Sequence, residues 1–183
     1  MKQNDRGYNP IENFRDLSFE AVSVTLPVIS ETDSLLKTIE IIERDCNAHV
    51  LEYIIVVCEK TTGEALQICE ALHNKNPKRF ILHFQHLPFL GGAVREAFEL
   101  ARASHTIMMA SDLETDPNTV REFIDLAMRH PNAIITASRW IKGGEFEGYD
   151  SLKLIFNYIF QKIFSYCYRV KLTDMTFNGS YAV

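Results

Sequence analysis

Hydrophobic and polar positions along the chain switch repeatedly between two rhythms. "AVSVTLPV" (21–28) is a short β-branched run stopped by Pro27 and reads as a strand. In "SETDSLLKTIEIIERD" (30–45), Leu35, Leu36, Ile39 and Ile42 keep helical spacing behind Ser30 and Thr32, either of which suits a cap. "LEYIIVVCE" (51–59) is apolar almost without a break, as in a strand covered on both faces. "GEALQICEALHNKNP" (63–77) predicts a helix closed by Asn and Pro, "FILHF" (80–84) a strand, and "GGAVREAFELARA" (91–103) a helix opened by two glycines. "TIMMA" (106–110) and "AIITAS" (133–138) predict strands on either side of a helix in "DPNTVREFIDLAMRHP" (116–131). That helix has Asp116 as its expected N-cap, Pro117 at the first helical position and Pro131 past its end. The most periodic segment is "SLKLIFNYIFQKIFSYCYRVKL" (151–172).

Strand and helix thus alternate five times with short connections. This predicts an α/β fold, a mostly parallel, Rossmann-like sheet with helices on both faces. Residues 1–20 form a polar N-terminal arm, and 21–183 one domain. In such sheets ligands bind beyond the carboxyl ends of the strands.

Composition narrows the classes. Apolar residues make up 46% and charged residues 23% of the 183, the balance of a folded domain. A net charge of -5 argues against wholesale nucleic-acid binding. Cys46, Cys58, Cys69 and Cys167 have neither zinc-ligand nor redox spacing, which points to a reducing, cytoplasmic compartment. The polar start does not read as a signal peptide, and no apolar run reaches the roughly 18 residues of a membrane span.

The strand at 106–110 ends in three carboxylates, Asp112, Glu114 and Asp116. Unpaired burial would be costly, so they face water, a basic partner or a cation. Asp116 is better read as a helix cap. Asp112 and Glu114, two apart, share a face of an extended segment and suit a hard cation, Mg2+ or Mn2+. A solvated turn is the alternative. Gly91 and Gly92 lead into a helix with Arg95 in its first turn and offer N–H groups to an anion, unless they are an ordinary cap. Arg139 ends a strand before a glycine-rich stretch, where it either grips phosphate or lies on the surface. Glu59 ends another strand; His83 and His86 read as structural.

These stretches, taken in order, resemble family 2 inverting glycosyltransferases of the GT-A fold, and most closely the polyprenyl-phosphate sugar synthases, the group that includes dolichol-phosphate mannosyltransferase. "VSVTLPVISETDSL" resembles Val-x-Pro-x-x-Asn-Glu, with Pro27 and Glu31 in register. "EYIIVVCEKTTGEAL" resembles a strand and turn written Val-Val-Asp-Asp-Gly-Ser, and "LGGAVREAFELA" a Gly-Gly-Ala-x-Arg helix start. "MMASDLETDP" resembles Met-Asp-Ala-Asp-Leu-x-x-Asp-Pro, "ASRWIKGG" resembles Gly-Ser-Arg-x-x-x-Gly-Gly, and "LTDMTFNGSYAV" resembles Asp-x-Thr-Ser-Gly-Phe-Arg-Ala, of which Asp174 and Thr176 carry over. The chain departs from the pattern at Ala110, where the family has the first Asp of Asp-x-Asp, and at Cys58 and Glu59, which replace two Asp. Asn178 and Gly179 replace the small-aromatic pair of the last motif.

The resemblance implies sugar transfer from a nucleotide-sugar with inversion. Donor contacts would come from Pro27, Glu31, Glu59, Gly92, Arg95 and Ser111, and the divalent ion would sit on Asp112 and Glu114. Arg139 and Lys153 match the acceptor-phosphate cations, and Asp112 and Arg139 are the expected catalytic pair. A phosphate acceptor is already ionised near neutral pH and needs no strong general base. The 151–172 helix is then either a core-packing helix or one lying on a membrane interface with Phe156, Phe160 and Phe164 among lipids. The second option implies a cytoplasmic protein held peripherally at the inner face of the membrane. Relatives continue past the last motif, so the domain is expected to be truncated at its C-terminal end. Two other readings stay open: transfer to a saccharide acceptor in surface-polymer synthesis, and a nucleotide-sugar-binding module with little catalysis.

Overall fold

The apolar run at 50–57 becomes the strand around which two layers of helix are arranged. The computed structural model describes residues 18–138, 151–167 and 179–182. The elements are β1 (Val22–Pro27), α1 (Asp33–Cys46), β2 (Val50–Val57), α2 (Gly63–Lys75), β3 (Phe80–Phe84), α3 (Phe89–Leu100), β4 (His105–Met108), α4 (Thr119–Arg129), β5 (Ile135–Thr136), α5 (Ser151–Cys167) and β6 (Gly179–Ala182). They build a six-stranded sheet in the order β3-β2-β1-β4-β6-β5. β1 pairs in parallel with β2 and β4, and β2 with β3. β6 runs antiparallel between β4 and β5.

Alternation along β2 sorts its side chains. Tyr53, Ile55 and Val57 join Leu35, Ile39 and Ile42 of α1, Cys69 of α2 and Phe123 and Ile124 of α4 in the larger core. Ile54 and Val56 point the other way, against Ala93 and Ala97 of α3. Each fully buried large aliphatic side chain contributes about 1.5–3 kcal/mol, so this two-faced strand anchors both layers. Helices on both faces of a mostly parallel sheet are as the sequence predicts.

One charge is fully buried near the amino end of the sheet. Glu52 accepts hydrogen bonds from Ser23 Oγ (2.8 Å), Arg102 N (2.9 Å) and Arg102 Nε (2.7 Å), and pairs with the Arg102 guanidinium at 2.5 Å. A buried carboxylate held by that many donors ties β1, β2 and the α3–β4 connection together.

Several expectations shift. β6 was not anticipated, because "GSYA" carries no strand-like run; the free edges of β4 and β5 make it a strand. α4 starts at Thr119, because Asp116 caps the preceding turn instead: its Oδ1 accepts from Asn118 N at 3.0 Å and its carbonyl from Thr119 N at 3.1 Å. α3 starts at Phe89, so the glycine pair lies inside its first turn and not in the loop before it. Most of the expected arm (residues 1–17), Arg139 with the glycine-rich stretch after it, and Asp174 and Thr176 lie outside the described residues.

Candidate functional site

The parallel strands β1, β2 and β3 end side by side, and the segments that follow them enclose a cavity of about 580 Å3. Pro27, Val28 and Ile29 line it at the end of β1, Cys58, Glu59 and Lys60 just past β2, Gln85–Pro88 in the β3–α3 connection, and Phe89 and Leu90 at the start of α3. Its size suits a small-molecule ligand, and it lies where open α/β sheets take one.

A hydrogen bond joins the turn after β4 to this cavity. Ser111, nearly fully buried, donates from Oγ to the carbonyl of Pro27 at 2.8 Å. Asp112 follows directly. Its Oδ1 accepts from Glu114 N at 3.0 Å, and Leu113 between them has a left-handed φ of 67°. The segment is therefore a tight Asx-type turn and not the extended stretch assumed from spacing. Both carboxylates remain exposed. Among the described residues no group of three or more His, Cys, Asp or Glu is arranged to hold a metal ion. Two exposed carboxylates are still an oxygen-only donor set. They fit a hard cation whose other ligands come from a bound diphosphate and water, the usual manner for Mg2+.

The other expected donor contacts divide. Pro27 and Glu59 line the cavity. Glu31 turns its carboxylate onto its own loop, where Oε2 accepts from Ile29 N (2.5 Å) and Ser30 N (2.9 Å), so it shapes the cavity wall at Ile29. Gly92 supports the cavity from behind: a Cβ there would lie 2.5 Å from the carbonyl oxygen of Leu87, so only glycine lets the loop approach the helix this closely. Arg95 lies apart from the cavity, exposed, 3.3 Å from Glu99 on a separate depression shared with His83 and Glu96.

Sequence reasoning missed Glu96. Its carboxylate accepts from His83 Nε2 (2.6 Å), His86 N (2.9 Å) and Leu87 N (2.6 Å). The His83 bond, followed by the Leu87 and His86 amides, holds its carboxyl down to about 2. This bond ties His83 to the wall of the cavity through Glu96. The "HLPFLGG" stretch, with Pro88 and a run of apolar residues at a loop, was the available signal that this connection is a built wall.

On α5, Phe156 (64% exposed) and Phe160 (55%) face outward with Ile155, Ile159 and Ile163, while Gln161 is buried. Phe164 is half-buried and packs on Phe160 with ring centroids 4.4 Å apart. Lys153 falls in the first turn of α5. No helix of the described residues is long and apolar enough to cross a membrane.

A parallel sheet with a ligand-sized cavity over the ends of its first three strands, flanked by an acidic turn after the fourth, is the GT-A architecture. The family model described as "Glycosyl transferase family 2" matches residues 23–181, and the chain belongs to that family. Among solved structures, glucosyl-3-phosphoglycerate synthase from Mycobacterium tuberculosis with uridine diphosphate matches with a TM-score of 0.62 at 15% identity, over 88% of this chain and 56% of that one. The same enzyme with Mn2+, UDP-glucose and phosphoglyceric acid matches at 0.62 and 13%, with the same coverage. A mannosyltransferase from Pyrobaculum calidifontis in complex with GDP-Man and Mn2+ matches at 0.50 and 13%, over 65% and 35%. At these identities the likeness is one of fold. The chain spans about half the length of the first solved structures it matches. No curated protein matches it.

Proposed function

We propose that this chain transfers a sugar, with inversion, from a nucleotide-sugar to a phosphate-bearing acceptor, and that the acceptor is a polyprenyl phosphate at the inner face of the membrane. The observation that carries the donor half is the Ser111–Pro27 hydrogen bond, which sets the Asp112 turn directly beside the wall of a nucleotide-sized cavity. The nucleoside occupies the cavity between Pro27, Ile29, Glu59 and the β3–α3 connection. Asp112 and Glu114 hold Mg2+ or Mn2+ together with the diphosphate. The bound ion supplies Lewis-acid stabilisation of the leaving nucleoside diphosphate. The Asx turn fixes Asp112 through the Glu114 amide, so the carboxylate is oriented before ligand arrives.

The acceptor phosphate is an ionised nucleophile, and its requirement is for cations. Arg139 and Lys153 are assigned that role, with Arg139 and Asp112 at the reacting centre. The solved relatives support the general scheme: the mycobacterial enzyme was crystallised with Mn2+, UDP-glucose and phosphoglyceric acid, itself a phosphate-bearing molecule. The lipid nature of the acceptor is supported by α5, whose aromatic and aliphatic side chains face outward while Gln161 packs inward.

Turnover tests this reading. Nucleotide release should be Mn2+- or Mg2+-dependent and should rise on adding polyprenyl phosphate in detergent or vesicles. Stimulation by an oligosaccharide and not by the lipid would move the acceptor to a saccharide, which also calls for a general base. Ala110 and Cys58, where the family pattern has Asp, favour a second reading, a module that binds nucleotide-sugar without transferring it. Binding without release of nucleotide from any donor, with either acceptor, would select it.

A further inference from the structure

Phe89 carries two unfavourable features at once. It is 83% exposed, and its φ is 63°, in the left-handed region where a bulky side chain is an outlier and glycine is the unstrained choice. Neither feature is offset by packing into either core cluster. The conformation is nevertheless imposed from several sides. Glu96 clamps the amides of His86 and Leu87, Gln85 Nε2 donates to the carbonyls of Leu87 (2.8 Å) and Phe89 (3.4 Å), and Gly92 allows Leu87 to lie against α3. Strain held in place by its surroundings is typical of ligand clamps. Here the clamp holds a largely exposed aromatic ring among the residues that line the cavity, together with Leu90, Pro27 and Ile29.

We propose that Phe89 is the stacking platform for the flat face of the donor's nucleobase, with the apolar β1 segment on the opposite face. The proposal rests on reading the cavity as a nucleotide site. An aromatic platform adds affinity for a planar heterocycle without choosing among bases, because every base has a π-face. Base choice then falls to the polar groups at the cavity's edge, Glu59 and Lys60.

Titration calorimetry with UDP, GDP and inorganic pyrophosphate, each with Mn2+, tests this on the whole chain. Phe89→Gly should weaken UDP and GDP binding by about tenfold and leave pyrophosphate binding unchanged, with a melting temperature equal to or above wild type. Phe89→Trp should keep nucleotide affinity, and it stands as an independent test if the glycine variant folds poorly. Wild-type nucleotide affinity in Phe89→Gly, loss of nucleotide affinity in a folded Phe89→Trp, or an equal loss for nucleotides and pyrophosphate overturns the stacking role and leaves the donor-site reading standing. Absence of UDP and GDP binding by the wild-type chain overturns the donor-site reading itself, and the platform with it.

Discussion

The two edges of the parallel sheet treat carboxylates in opposite ways. Near the amino edge, Glu52 is fully buried and takes hydrogen bonds from Ser23 and Arg102. At the carboxyl edge, Asp112 and Glu114 are exposed on a turn in which the Glu114 amide donates to Asp112. The first arrangement closes the fold and leaves nothing to offer a ligand. The second leaves charge facing solvent beside a cavity, which is what a cation and a diphosphate require. Glu96 is the instructive intermediate. It belongs to the carboxyl edge, yet its donors are all supplied by His83, His86 and Leu87, so it builds the cavity wall and does not bind in it.

Substitutions can break this contrast, and they rank by effect on the folded state. Glu52→Ala should be the most damaging, about 1–3 kcal/mol by urea denaturation, because the buried Ser23 hydroxyl and the Arg102 amide lose their shared acceptor. Glu96→Gln should lower the melting temperature near neutral pH by less. Glu96 ionises at about 2 when folded, against an ordinary 4.5, so its contribution is complete above about 4.5 and is lost as the pH falls through about 2. The gap between wild type and variant should therefore close over that window; a gap constant down to pH 2 would deny the ionic clamp. Phe156→Ser with Phe160→Ser should change stability by less than about 0.5 kcal/mol per site while abolishing flotation with liposomes. Unchanged flotation would remove the membrane role of α5. Asp112→Asn should leave denaturation unmoved and lower Mn2+-dependent UDP affinity by at least about tenfold in calorimetry. Equal affinity with and without Mn2+ in both forms would show that the turn binds no metal.

How far the chain could be read in advance depended on whether a feature was local. The strand–helix alternation was legible because each element shows its own period, and the acid cluster and Glu59 could be set beyond strand ends because parallel strands present their ends to ligands, whereas Pro27 entered only through the family resemblance. α4 and α5 show the limit. Both have apolar stripes at helical spacing, but α4 buries Val120, Phe123 and Ile124, whereas α5 turns Ile155, Phe156 and Ile159 outward and Gln161 inward. Period reveals that a helix has two faces and is silent on which one meets the rest of the chain. Glu96 was hidden for a related reason. A glutamate in an amphipathic helix reads as solvated, and only the β3–α3 connection folding back over it makes it a buried acceptor. Phe89 was hidden because its φ is set by those same tertiary contacts.

The place of β6 sets an order of events during synthesis. β4 pairs with β1 on one side, but the neighbour on its other side is residues 179–182, some 70 positions further along. At a translation rate of about 5–20 residues per second, the ribosome leaves that flank of the nascent sheet bare for roughly 4–14 seconds. In that interval a row of unpaired amides and carbonyls on β4 is available to any other extended polypeptide, an opening for chaperones and for misassembly.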